Sequence, residues 1–354
     1  MAAISHWAPR FVSNGVPLHD FSVTTAAVRD WSQWCARWVE RGRLHEQLGE
    51  QALGEGHDRS GGEHLLRASL CYHFGAFLFV EQPEEMRSAH AQSVAAYDRA
   101  LPHLDPPGQR IEIPYEDGPL VGVLRIPPAS LPPPVVVMVA GLDSTKEEMS
   151  AYEVHLHQRG IATFAFDGPG QGEAQFDIPI RPDFEVPLGA VIDHLATLPV
   201  VADRVGVYGV SLGGHYVVRA AAFESRIVAC ASISGSYRVA DSWAGRPPMN
   251  RAAYRVRAHV ESDASAARFV ELLDLTGVAE RVTCPLYVVA GTADRLTPHT
   301  AGIRIADEAA GPTVLDVVEG GNHVVNNMPY RYRPQVADWM SVRLRSQPDR
   351  SVGS

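Results

Sequence analysis

From about residue 110 onward, short β-branched apolar runs alternate with helix-compatible stretches: 111–113, 120–126, 135–140, 161–166, 205–208, 227–232, 286–290 and 314–318. Runs that are apolar along their whole length belong to strands buried on both faces, and the helices between them supply the cover. The pattern predicts a mostly parallel sheet with helices on both sides. Residues 235–282 exceed what a β-to-α crossover needs and include amphipathic pieces such as 264–275. They read as a helical cap inserted into the sheet domain.

Residues 1–109 have a different texture. Trp31, Trp34 and Trp38 fall at i, i+3 and i+7, which puts three indoles on one helix face. Residues 63–80 are apolar nearly all round, which demands a helix enclosed by other elements. A third helix over 83–100 opens with Pro83-Glu84-Glu85, suited to a first turn. The Pro and Gly cluster at 102–108 marks a boundary. The expected organisation is an N-terminal helical domain (1–109) contributing to the pocket, an α/β catalytic domain (110–345) with its cap, and a flexible tail (346–354).

The chain has 354 residues, 45% hydrophobic and 20% charged, the balance of an ordinary globular protein. Its net charge is −10 and its arginines are scattered, so no nucleic-acid footprint is present. The longest aliphatic run, 135–140, falls far short of the roughly 20 residues a membrane helix requires. The first residues lack the basic start and apolar run of a signal peptide. A cytoplasmic protein with no membrane partner is expected. Cys35, Cys71, Cys230 and Cys284 include no C-x-x-C pair and read as reduced core residues.

The chemistry enters at VGVYGVSLGGH. A strand runs into Gly209-Val210-Ser211-Leu212-Gly213, and a helix-compatible stretch follows. Strand, G-x-S-x-G turn and helix form the context of a nucleophile elbow, which holds a serine oxygen clear of the sheet. A serine hydroxyl needs an imidazole to take its proton and a carboxylate to fix that imidazole. In α/β-hydrolases these follow in the order Ser, acid, His. Asp294 stands just past the run 286–290, and His323 just past 314–318, so both reach the sheet edge where Ser211 stands. An oxyanion hole needs two backbone N–H donors. One is assigned to Leu212, after the nucleophile, and the other to Leu142 in the loop after 135–140, with Gly141 giving backbone room.

Other features read as structural. His299 follows a Pro that starts a helix, and His155 and His157 do not share a helix face, so no metal site forms there. His215, in the first turn after the elbow, borders the pocket or packs behind it. The loop Asp167-Gly168-Pro169-Gly170-Gln171-Gly172-Glu173 departs from a nucleotide fingerprint and reads as a rigid turn flanking the site. No cofactor or metal is expected.

Together with the elbow, three segments carry a family resemblance: Tyr72-His73-Phe74 with Phe77-Leu78-Phe79, Gly141 to Glu148 (GLDSTKEE), and the Asp167 to Glu173 turn. Over most of residues 60–345 the chain resembles the group of α/β-hydrolases that holds 2,6-dihydroxypseudooxynicotine hydrolase, the fungal polyketide chain-shortening hydrolases and the fermentation-respiration switch proteins. The resemblance implies an α/β-hydrolase fold with Ser211, Asp294 and His323 as triad. It also implies hydrolysis of a carbon–carbon bond next to a ketone in an aryl or polyketide-like substrate, self-association as a homodimer, and an acidic cap residue, for which Asp241 stands nearest. An aromatic lining from Tyr72, Phe74, Phe77, Trp243 and Tyr254 would accept a planar substrate. The residues themselves leave three readings open: a C–C hydrolase; an esterase, lactonase or amidase for a bulky aromatic substrate; and a binding protein that keeps the fold without turnover.

Overall fold

The computed structural model of the protein describes residues 4–116 and 118–345. The tail expected at 346–354 lies outside the described residues. Eight strands form one sheet: β1 (Gly108–Ile113), β2 (Leu120–Arg125), β3 (Val135–Val139), β4 (Ala162–Asp167), β5 (Val205–Val210), β6 (Ile227–Ile233), β7 (Leu286–Gly291) and β8 (Thr313–Val318). Their order is β1-β2-β4-β3-β5-β6-β7-β8. β1 with β2 and β2 with β4 are antiparallel, and every later pairing is parallel. The molecule is an α/β-hydrolase fold.

The pleat explains why the strands are apolar throughout. In β3, Val135, Val137 and Val139 enter one apolar cluster, and Val136 and Met138, with Ala140 just past the strand, enter the other. The second cluster is closed by α6 (Ser150–His157) and α12 (Arg333–Arg345) through Tyr152, Leu156, Val336 and Met340. The first is closed by α7 (Glu185–Ala196), α8 (Leu212–Phe223) and α11 (His299–Glu308). The edge strands β1 and β8 are only half-buried, as their weaker apolar runs require.

The N-terminal segment folds into α1 (Ala8–Ser13), α2 (Leu18–Ala27), α3 (Trp34–Gly54), α4 (Asp58–Ala76) and α5 (Pro83–Ala100). Its aromatic residues, Tyr97 apart, belong to the same continuous cluster as one sheet face. Trp34 and Trp38 are fully buried on α3. Trp31 is not on that helix: the Asp30 side chain caps a separate 3-10 turn, and Trp31 stacks on Trp34 at 5.1 Å between ring centroids. α4 is enclosed on all sides in its second half, as its composition demands, but it ends at Ala76: Phe77 turns to ψ 118° and Leu78 follows at φ +54°.

The cap consists of a 3-10 segment (Val239–Gly245), α9 (Pro248–Arg257) and α10 (Asp263–Phe269). The amphipathic stretch 264–275 is helical only to Phe269; Asp274 then pairs back to Arg238 in an extended bridge. All four cysteines are free thiols, three of them buried. Among the described residues no helix is long and apolar enough to cross a membrane.

Candidate active site

Ser211 sits between β5 and α8 with φ 56° and ψ −118°, a conformation that side chains rarely adopt. Two close approaches make this turn possible. A Cβ on Gly213 would stand 2.2 Å from the Val139 carbonyl oxygen, so only glycine lets α8 start against the end of β3. A Cβ on Gly141 would meet Ser211 Cβ at 3.1 Å, so the loop after β3 passes directly beside the serine.

His323 opens a short turn after β8, and the backbone N–H of Val324 donates to Ser234 Oγ at 3.0 Å. His323 Nε2 lies 2.8 Å from Ser211 Oγ, and its Nδ1 lies 2.8 Å from Asp294 Oδ2. The network assigns the tautomer: Nδ1–H donates to the carboxylate and Nε2 accepts from the hydroxyl. Asp294, beyond β7, accepts from the amides of Leu296 and Thr297 at 2.8 and 2.9 Å. Burial works against its charge, but His323 and these two amides outweigh it and hold the carboxyl below its ordinary range.

Leu212 is the first residue of α8, so its N–H has no partner within the helix. Leu142 lines the cleft next to Ser211. Gln171 Nε2 donates to the carbonyls of Ala140 and Gly141, at 2.5 and 3.2 Å, so the Asp167 to Glu173 turn braces the loop that carries Leu142.

The walls of the cleft come from several regions, among them α6 through Tyr152 and the loop after β7 through Leu296. α1 supplies Arg10, the loop after β3 supplies Asp143, Ser144 and Glu148, the cap supplies Arg246, Asn250 and Tyr254, and the His323 turn supplies Val324 and Asn326. The cleft beside Ser211 is narrow, with a cavity volume of about 30 Å³. A roomier cavity of about 280 Å³, bordered by Arg59, Leu70, Arg125 and His157, includes neither Ser211 nor His323 in its lining.

Tyr254 is thus at the cleft, as its place in the cap suggests, and the other expected lining residues are not. Tyr72 is fully buried and donates to Glu46 within the helical segment. Phe74 stacks on Phe11 at 3.7 Å, and Phe77 lies 4.6 Å under the Arg10 guanidinium, so both support a wall without forming it. Trp243 packs edge-on behind Tyr254. His215 is fully buried behind the elbow with Nδ1 2.9 Å from the Ser236 carbonyl, and burial pushes its imidazole down to about 4. Asp241 is exposed and lies 3.5 Å from Arg238, so it is no cleft acid.

Sequence reasoning missed the charges. Arg10 Nε and Nη2 each lie 2.8 Å from one Glu148 oxygen, Nη1 reaches Asp143 at 2.9 Å, and Nη2 also reaches Ser144 Oγ at 2.9 Å. His73 Nε2 lies 3.0 Å from Glu148 Oε2. Burial opposes the charge on Glu148, but Arg10 and His73 hold it well below its usual range. The signal was present as carboxylates crowded into GLDSTKEE, whereas nothing marked Arg10. Nearby, carboxylate oxygens of Glu147, Asp167 and Glu173 converge to within 4.8 Å of one another, the spacing of a metal-ligand set. Lys146 Nζ already stands among them at 2.6, 2.9 and 2.7 Å, so the positive charge comes from the chain.

A family model described as FrsA-like esterase matches residues 19–242. The 2,6-dihydropseudooxynicotine hydrolase of Paenarthrobacter nicotinovorans is 34% identical over 309 residues, covering 87% of this chain and 83% of that protein. The alpha/beta hydrolase gkaG of Penicillium citrinum is 32% identical over 240 residues, 62% of this chain and 56% of the fungal protein. The crystal structure of 2,6-dihydroxy-pseudo-oxynicotine hydrolase superposes with a TM-score of 0.87 at 33% identity over 95% of each chain. AbyA5, at 20% identity and a TM-score of 0.71, shares the fold.

Proposed function

The chain belongs to the FrsA-like esterase family and is an α/β-hydrolase, and from that premise we propose that it is a serine hydrolase that works through an acyl-enzyme on Ser211. The observation that carries this reading is the hydrogen-bonded line Ser211–His323–Asp294, with both links at 2.8 Å and the serine on a strained turn.

His323 Nε2 takes the hydroxyl proton as Ser211 Oγ attacks a carbonyl carbon, and Asp294 stabilises the imidazolium. The N–H groups of Leu212 and Leu142 receive the oxyanion, a donor pair worth roughly 2.7–4 kcal/mol per member in comparable sites. The leaving half departs with a proton from His323. Water then attacks the acyl-enzyme by the reverse route and frees Ser211.

For the bond cleaved, we take C–C hydrolysis next to a ketone in an aryl or polyketide-like substrate as the first reading, supported by the 34% identical relative named as a 2,6-dihydropseudooxynicotine hydrolase. A second reading, hydrolysis of an ester, lactone or amide, draws on the cap: among the described residues lining the cleft it contributes Arg246, Asn250 and Tyr254 and no carboxylate. Mass-spectrometric product analysis separates them. Wild type and Ser211→Ala are incubated with aryl 1,3-diketones and with esters and amides of the same acyl groups. Serine-dependent release of a carboxylic acid plus a shortened ketone supports the first reading; cleavage of the esters or amides alone supports the second.

A further inference from the structure

Arg246 stands two residues before α9, is 6% exposed, and borders the same cleft as Ser211, His323 and Leu142. Its Nη1 donates to Asn250 Oδ1 at 3.0 Å, one turn on, and its guanidinium carbon stands 5.4 Å from the centre of the Tyr254 ring, two turns on. One stripe of the cap therefore fixes the direction of this side chain. Its Nε is buried without a hydrogen-bond partner. Among the described residues no carboxylate forms an ion pair with it, while the two carboxylates of the cleft, Asp143 and Glu148, are both engaged by Arg10. A buried guanidinium without a carboxylate of its own is costly, and a ligand that brings negative charge offsets that cost. The guanidinium fork is shaped for planar oxyanions.

We propose that Arg246 is the counter-charge for an anionic oxygen of the substrate, an enolate, phenolate or carboxylate oxygen held across the cleft from Ser211, and that the enzyme selects substrates bearing one over their neutral analogues. The substrate class rests on the serine-hydrolase reading. In a 1,3-dicarbonyl, Ser211 Oγ bonds to one ketone carbon and its proton passes to His323. When the tetrahedral adduct collapses, the C–C bond breaks and its electron pair moves into the leaving half as an enolate, whose oxygen Arg246 receives. His323 returns its proton to the carbon, and water then cleaves the acyl ester to a carboxylic acid. A cation on the cap thus stabilises the leaving group where a cap acid would protonate it.

The test uses the full chain, with Arg246→Met to remove the charge and Arg246→Lys to retain it. Calorimetry compares binding of 2-hydroxybenzoate with that of 2-hydroxybenzamide. Turnover compares a 2-hydroxyaryl 1,3-diketone with its 2-methoxy ether, and 4-nitrophenyl hemisuccinate with 4-nitrophenyl butyrate. The expected result is an anion preference of about tenfold or more in the wild type that is lost in Arg246→Met and partly kept in Arg246→Lys. Loss confined to the diketone pair places the charge on the leaving half, and loss confined to the hemisuccinate places it on a carboxylate. Equal treatment of anionic and neutral ligands by the wild type, or an unchanged preference in Arg246→Met, overturns the proposal. Should Arg246→Met not fold, the wild-type preference and Arg246→Lys decide. Reaction of Ser211 with a fluorophosphonate reports the serine reading separately, so failure of either idea is visible without the other.

Discussion

Arg10, in the first helix, grips Glu148, 138 positions further along the chain, through two parallel hydrogen bonds of 2.8 Å. The same guanidinium holds Asp143, one residue from Leu142, so the N-terminal helix fixes the loop that passes beside Ser211. Arg10→Met leaves Glu148 buried and without this partner. Breaking a buried pair from one side costs roughly 3–5 kcal/mol. Denaturant unfolding should register that loss, and kcat/KM should fall by about 10²-fold through misplacement of the loop. Unchanged kinetics would detach α1 from the site.

Asp294→Asn tests the hydrogen-bonded line. Asparagine can occupy the same space, but it can hold the imidazole in the other tautomer, with the proton on Nε2 facing Ser211 Oγ. Turnover should fall roughly 10²–10⁴-fold, as in serine proteases with the equivalent change. His323→Ala should abolish turnover with the far-UV circular dichroism intact.

Three buried histidines set an acid limit on stability. Burial is the largest influence on His90, His157 and His215 and pushes each down to about 4, against an ordinary value of 6.5. The folded protein keeps them neutral in that window, while the unfolded chain takes up protons there. Stability should therefore be full above pH 6.5 and fall as pH drops toward 4, by up to about 1.4 kcal/mol per pH unit for each histidine. Glu147, held at about 2 despite its burial by Lys146 and His90, adds a further loss below its ordinary value of 4.5. Urea unfolding at pH 7.5, 6 and 5 checks this, and equal free energies would contradict it.

Much of the architecture was legible because strand burial and elbow chemistry are local. Each of the eight apolar runs became a strand; the six inner ones are covered on both faces and so are apolar at successive residues, while the edge strands β1 and β8 are half-buried. Ser211, Asp294 and His323 could be named because each follows a strand, and parallel strands deliver their ends to one edge. The pocket lining was not legible. Tyr72, Phe74 and Trp243 are as aromatic in a core as in a cleft, and only packing distinguishes the two. Arg10 was invisible for a different reason: its partners lie more than 130 residues away, and no periodicity encodes a long-range ion pair.

Lys146 is a fully buried cation held among three carboxylates. Burial works against its charge, but Asp167, Glu147 and Glu173 hold its amine well above the ordinary lysine range. Lys146→Met leaves buried Glu147 and Asp167 without their cation, while Glu173 keeps Arg110, and should destabilise the protein by about 3–5 kcal/mol. Thermal unfolding of that variant near the wild-type temperature would show that the cluster is not held by charge.

The central claim, that Ser211 is an activated nucleophile, is tested most directly by peptide mass mapping after exposure to a fluorophosphonate. The account predicts one adduct on Ser211 in the wild type, none in Ser211→Ala, and a greatly slowed reaction in His323→Ala. A folded wild type that remains unmodified, or is modified elsewhere, would contradict it.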